Sequence, residues 1–306
     1  MHFPSRGTTA GGHYSDAPTD SPRTAIKDPC VGAGILWTPQ PEARMDVSKL
    51  FSLEGRVALV TGGSRGIGKM IAAGFVAQGA KVYISSRKAD ACEATARELG
   101  PRCVPLPADI STVAGCEALA RAFGAQEKKL DVLVNNAGAA WGVEFDQFPE
   151  SGWDKVMNLN VKSPFFLTQK LHGALRAAAS AERPAKVINI GSIDGMRLNS
   201  WETYSYHASK AAILYLTRRM AARLVRDHIY VTAIAPGAFA SEMNRAARDH
   251  AGDVAKRIPA RRVGRDEDMA AAAIYLASRA GDYVIGETLT VDGGLVHAAL
   301  GTSIDA

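Results

Sequence analysis

The chain has 306 residues, 47% of them hydrophobic and 22% charged, with a formal net charge of +5; this suits one large α/β core plus an extension and does not call for two independent domains. Its lysines and arginines are scattered, with no basic run interleaved with aromatics, which argues against a nucleic-acid partner and leaves a weak preference for anionic small molecules. Four cysteines (Cys30, Cys92, Cys103, Cys116) without a CxxC pair or a secretory segment, no apolar run of about 18 residues, and seven histidines without metal-ligand spacing give the expectation of a soluble, cytoplasmic, metal-free protein.

Residues 1–48 are rich in Gly, Pro, Ser, Thr and Asp and lack apolar periodicity, so they read as a disordered N-terminal extension rather than part of the core. Met45 offers an alternative start, which would make the upstream segment dispensable. The single folded domain is expected over 49–306. From Arg56 onward short apolar runs alternate with helical patterns: RVALVTGG, KMIAAGFVAQG, AKVYISSR, DACEATARELG, RCVPLPADIS. Strand, helix, strand, helix, strand is the rhythm of parallel βαβ units. It continues through a helix in CEALARAFGAQ, the strand LDVLVNNAG, a long helix from about Trp153 to Ala179, and the strand KVINIGS. A helix from about Tyr204 to Val225, the strand IYVTAIAPG, a helix near Asp266 to Ser278 and a last strand GETLTVDGG complete the series. Strands apolar on both faces imply a sheet covered on both sides, a doubly wound Rossmann fold of α/β class.

TGGSRGIG, from Thr61 to Gly68, directly follows the strand VALV and opens a helix. Gly62, Gly66 and Gly68 permit a tight turn and close backbone approach, and the helix N-terminus offers free amides to a pyrophosphate. Glycines here also serve tight strand-to-helix packing; the strand–turn–helix context favours the phosphate reading. At the end of the second strand an acidic residue would bind an adenosine ribose and repel a 2′-phosphate, but this strand ends Ser85-Ser86-Arg87-Lys88. Arg87, with Arg65 inside the glycine turn, can grip a 2′-phosphate. At about 1.5 to 3 kcal/mol for each charge-assisted bond, the pair would favour NADP(H) over NAD(H) roughly a hundredfold or more. The alternative is a pair of solvated surface arginines.

Tyr206 and Lys210 lie four residues apart, on one face of a helix, and Ser192 stands fourteen residues before Tyr206. An ammonium near a phenol favours phenolate; lowering a tyrosine by roughly 3 units from about 10 takes about 4 kcal/mol, within reach of a cation in a partly desolvated site with bound cofactor. Taken alone, this spacing also arises by chance on amphipathic helices.

Together, TGGSRGIG, Asn135-Asn136-Ala137-Gly138, Asn160 in MNLNVKSPF, Ser192 in NIGSIDG, YHASK and Ala235-Pro236-Gly237 resemble the short-chain dehydrogenase/reductase family, over about Leu53 to Gly294. Within it the chain most resembles the 3-oxoacyl-[acyl-carrier-protein] reductase branch, particularly the β-ketoacyl reductases linked to rhamnolipid synthesis. The resemblance implies an NADP-dependent carbonyl reductase with Tyr206 as proton donor, Ser192 holding the carbonyl oxygen, and Lys210 tuning Tyr206 and binding the nicotinamide ribose. Asn160 would anchor a relay water, although a locally satisfied helix asparagine is also open. It further implies cofactor contacts from Ser64, Ile67, Ser86, Asp109, Ile110, Asn135, Ala137, Gly138, Pro236, Gly237 and Ser241, a serine where threonine is more usual. A homotetramer or dimer through the long helices is implied as well.

The substrate pocket is expected to draw on Trp141, Asp194, Trp201, Tyr204, Phe239 and Met243, apolar walls that suit an acyl chain or a ring; the tryptophans could equally pack loops. The Ser192-to-Tyr206 interval is one residue longer than the family pattern, so the loop must bulge. Asp194 is an unusual charge there and either binds a polar substrate group or caps the loop. Residues 239–262, interrupted by Gly252 and Pro259, read as a lid. The substrate expected is a 3-oxoacyl thioester or similar β-keto compound. The alternatives are a ketone or alcohol of a secondary metabolite, quinone, sterol or sugar, and a catalytically idle NADP-binding regulator, against which the complete set of catalytic residues speaks.

Overall fold

The computed structural model describes residues 46–299. The expected disordered extension and the alternative start at Met45 fall almost wholly outside them. Seven parallel strands form the sheet: β1 Val57–Thr61, β2 Lys81–Ser85, β3 Cys103–Pro105, β4 Val132–Asn135, β5 Ala185–Ile190, β6 Ile229–Pro236 and β7 Thr288–Val291. Their order is β3-β2-β1-β4-β5-β6-β7. The chain therefore winds outward from β1 in one direction, then crosses to β4 and winds in the other. Between β1 and β4, where Ala58 pairs with Val132, the order reverses, and the carboxyl ends on either side leave the crevice where doubly wound sheets bind ligands.

Among the described residues ten α-helices accompany the strands: α1 Val47–Leu50, α2 Gly66–Ala77, α3 Ala89–Leu99, α4 Val113–Gln126, α5 Glu150–Met157, α6 Ser163–Ala178, α7 Tyr204–Leu224, α8 Arg245–Asp249, α9 Ala251–Lys256 and α10 Asp266–Ala277. One face of the sheet is packed by Ile71 and Phe75 of α2 and Met269 and Leu276 of α10. The other is covered by Leu119 and Phe123 of α4, Leu167 and Leu171 of α6, and Met220 of α7. Every residue of β4 and β5 is buried, as expected of central parallel strands, and this includes the polar Asn135, Lys186 and Asn189. Among the described residues no helix is long and apolar enough to cross a membrane.

Two expectations need correction. The long helix from about Trp153 is not uniform: α5 and α6 are joined by a π-helical stretch, Asn158–Lys162, whose bonds widen so that the Ser163 N–H reaches Asn158 O. Pro164 explains it, because a proline has no N–H to return to the carbonyl of Asn160 four residues back. In the lid, Gly252 does not interrupt helix but lies inside α9, and the break between α8 and α9 falls at His250.

Candidate active site

A cavity of about 1600 Å³ opens along the carboxyl ends of the strands. At one end is the turn between β1 and α2. Gly62 has φ +65°, and a Cβ there would stand 2.7 Å from Asn136 Nδ2. Thr61 Oγ1 accepts the N–H groups of Asn136 and Ala137, both at 3.0 Å, while Asn136 Nδ2 donates to Thr61 O at 2.8 Å. The glycine turn is thus stitched to the end of β4. Arg65 precedes α2 in extended conformation and makes no side-chain cap, leaving the first amides of the helix open to the cavity. Arg65 and Arg87 both line this end, and neither pairs with a carboxylate among the described residues. Ser85 and Ser86 stand where an acidic residue would oppose a phosphate. An open helix N-terminus, a glycine cradle and two unpaired guanidiniums fit a dinucleotide carrying a 2′-phosphate.

At the other end Ser192, Tyr206 and Lys210 share one wall. Ser192 follows β5, and its Oγ accepts the Asp194 N–H at 3.1 Å, which leaves the hydroxyl proton to be donated toward the Tyr206 side. Lys210 is 6% exposed; its Nζ donates to Ile190 O at 2.9 Å and lies 5.4 Å from the Tyr206 ring centroid. Burial pulls the Lys210 ammonium down to about 8, with Asp194 working against the fall. The Tyr206 phenol is pushed up to about 12, by burial first and the Asp194 charge second, while a hydrogen bond to Ser192 opposes the rise. Here desolvation outweighs the Ser192 hydrogen bond that favours the phenolate; the depressed phenol expected from Lys210 together with a bound cofactor belongs to the filled site.

Asp109, Ile110, Ala137, Gly138, Pro236, Gly237, Ser241, Ile67, Ser64 and Gly66 all reach the cavity, as do Asp194, Trp201 and Met243. Other expected contacts do not. Asn135 points into the core, its Nδ2 donating to Thr168 Oγ1 and Asn189 Oδ1; its neighbour Asn136 faces the cavity instead. Gly68 packs against the turn, since a Cβ there would lie 2.3 Å from Gly62 O. Asn160 is buried off the wall: Oδ1 accepts from Ala139 N at 2.8 Å, and Nδ2 donates to Ala139 O and Ser209 Oγ, each at 2.9 Å. Ser209 Oγ in turn donates to Tyr206 O at 2.8 Å, so the Asn160 side chain braces the helix carrying Tyr206.

Trp141 stands outside, covering Gly152 with the Lys155 ammonium 5.1 Å from its ring. Tyr204 is packed edge-on against Phe145 and Phe148, at 5.5 and 5.7 Å between ring centroids. Phe239 borders the cavity but is 2% exposed and belongs to the core, its ring filling the space beside Gly264. Unanticipated from the sequence is the C-terminal turn, where Leu295 and Val296 join the wall. Asp292 fixes that turn by accepting from the N–H groups of Gly294 and Val296, and Arg197 donates to Leu295 O at 2.6 Å. The Asp-Gly-Gly at its start was the available signal.

A nucleotide cradle at the switch point of a parallel sheet, with serine, tyrosine and lysine beside it, defines a dinucleotide-dependent oxidoreductase. The chain belongs to the short-chain dehydrogenase/reductase family, and a family model described as enoyl-(acyl carrier protein) reductase matches residues 62–296. It is 51% identical over 249 residues to the rhamnolipids biosynthesis 3-oxoacyl-[acyl-carrier-protein] reductase of Pseudomonas aeruginosa, covering 80% of this chain and 97% of the relative. The Pseudomonas aeruginosa RhlG/NADP active-site complex superposes with a TM-score of 0.78 at 49% identity, over 81% of this chain and 98% of that one. A gluconate 5-dehydrogenase from Burkholderia cenocepacia, solved with NADP and tartrate, gives 0.76 at 34% identity, over 83% and 100%.

Proposed function

We propose that this enzyme, an NADP-dependent oxidoreductase acting between carbonyl and alcohol, reduces a 3-oxoacyl thioester to the 3-hydroxyacyl thioester. The observation that carries the reading is the meeting of Ser192, Tyr206 and Lys210 on the wall of the cavity whose far end presents Arg65 and Arg87. The 51% identity to a 3-oxoacyl reductase supports the substrate. Bound NADPH supplies the hydride that the ketone carbon accepts. Ser192, its lone pair engaged by the Asp194 N–H, donates its O–H to the carbonyl oxygen and stabilises the negative charge developing there. Tyr206 gives that oxygen its proton, completing the alcohol. Lys210 supplies the charge that makes the phenol a competent acid once the site is filled, and Asn160 holds the helix in place through Ser209. Arg65 and Arg87 would hold the 2′-phosphate and the open amides of α2 the pyrophosphate. Trp201, Met243 and Leu295 receive the acyl chain. The enzyme is proposed to act in the cytoplasm as a homo-oligomer.

A second reading, a hydroxy-acid or sugar-acid dehydrogenase, is favoured by Lys155, Arg197 and Arg257 on the cavity wall, which suit a carboxylate, and by the relative holding tartrate. The test follows NADPH absorbance with acetoacetyl thioester beside free ketones and keto sugar acids. Thioester turnover that drops at least about a thousandfold in Tyr206→Phe, while NADPH affinity stays and Tyr204→Phe remains active, supports the proposal. Turnover of keto sugar acids alone selects the second reading, and a fully active Tyr206→Phe enzyme overturns both.

A further inference from the structure

Each arginine at the adenosine end follows a serine, Ser64-Arg65 in the glycine turn and Ser86-Arg87 after β2, and all four residues line the cavity. Both serines are tied to one helix. Thr95 Oγ1 of α3 donates to Ser64 O at 2.9 Å, and Cys92 Sγ lies 3.0 Å from Ser86 Oγ. Cys92 and Thr95 are about one helical turn apart, so they occupy one face of α3, and that face is buried, at 0% and 5% exposure. A threonine inside a helix ordinarily returns its hydroxyl to a carbonyl of the same helix; this one reaches across 31 residues of sequence instead. Where the two loops touch directly the bond is slack, Gly63 N–H to Ser85 O at 3.3 Å.

We propose that the inward face of α3 sets cofactor choice: Thr95 and Cys92 are positioning residues that fix the separation of Arg65 and Arg87 and so the hold on a 2′-phosphate. The inference rests on the reading of those two arginines as the phosphate clamp. An arginine side chain has many rotamers, and two of them converge strongly on one phosphate only when their main chains are kept at a fixed spacing. Arg65 depends on this, since it leads into α2 in extended conformation with no side-chain cap of its own. Cys92 has a second effect. With its thiol as donor, the Ser86 hydroxyl proton, held by Lys88 O at 3.3 Å, stays available to a phosphate oxygen. NADH has a hydroxyl where NADPH has the phosphate, so the brace acts on one cofactor far more than on the other.

The full chain is titrated with NADPH and with NADH by fluorescence, and the ratio of the two Kd values is read. Thr95→Val, which keeps the volume and loses the hydroxyl, should lower the preference for NADPH about tenfold while NADH affinity hardly moves; Thr95→Ser, which keeps the hydroxyl, should restore it. Cys92→Ala should lower the preference about threefold, and Cys92→Ser should restore it. Equal weakening of both cofactors would make α3 a packing helix and overturn the proposal. So would a preference unchanged in Thr95→Val or in Cys92→Ala, or a Thr95→Ser protein as impaired as Thr95→Val. Arg65→Ala and Arg87→Ala test the underlying reading separately. If both keep the wild-type preference the arginine clamp fails, while a loss in Thr95→Val and Cys92→Ala would still put the determinant on α3, acting through Ser64 and Ser86.

Discussion

Lys210 carries the clearest conflict between folding and function at the level of single residues. Its ammonium titrates near the usual lysine value in the unfolded chain but at about 8 when folded. Between those values the unfolded state binds the extra proton, so stability rises with pH across that window and the cost is fully present below it. At neutral pH the penalty is about 3 kcal/mol. Lys210→Met should therefore raise the Tm of the cofactor-free protein near pH 7 while abolishing turnover, and the gain should shrink as the buffer approaches pH 10. A Tm that falls equally at both pH values would show that the lysine stabilises the fold through packing instead. The same desolvation explains why Tyr206 is raised rather than lowered. Spacing on a helix reveals that an ammonium and a phenol share a face, whereas burial, which sets the sign of the shift, depends on what the rest of the chain places over them.

Among the elements, the β1–α2 turn leaves the least freedom. Gly68 faces the carbonyl of Gly62 and Asn136 Nδ2, where a methyl would intrude to 2.3 and 2.4 Å, and these are backbone and a hydrogen-bonded amide that cannot retreat. Gly68→Ala is expected to cost about 1–3 kcal/mol and to weaken NADPH binding, because the turn must shift off β4. Thermal denaturation and a fluorescence titration with NADPH would check it; wild-type values in both would show that the turn yields. The glycine pattern itself was legible because a strand, a turn and a helix are neighbours in sequence. The split of the long helix was less so: Pro164 marks a break, but the π-helical answer depends on Asn160 and Ser163 finding buried partners in Ala139, Ser209 and Ile110.

At the scale of the whole molecule, the outer faces of α6 and α7 keep large apolar side chains in solvent, with Tyr215 at 72% and Phe165 at 39% exposure. Both helices cover the same face of the sheet, so these rings lie on one side of the protein, the kind of patch that a second copy covers. The chain should migrate as a homo-oligomer by size exclusion with light scattering, and Tyr215→Glu should shift it toward monomer. A monomeric wild-type protein would overturn the oligomer proposal.

The sequence by itself determined the alternation of strand and helix, the phosphate-binding turn, the absence of an acidic residue after β2, and the Ser192, Tyr206 and Lys210 set. Each of these is written in local periodicity or in fixed short spacing. The tertiary structure decided what depends on register and on distant partners. Successive strand residues point to opposite sides, so only the register shows that Asn136 faces the cavity and Asn135 the core. Trp141 and Tyr204 were drawn away by Gly152, Phe145 and Phe148, contacts invisible along the chain. Leu295 and Val296 entered the wall because Asp292 and Arg197 pin the last turn across nearly a hundred residues of sequence, a closure that no local pattern encodes.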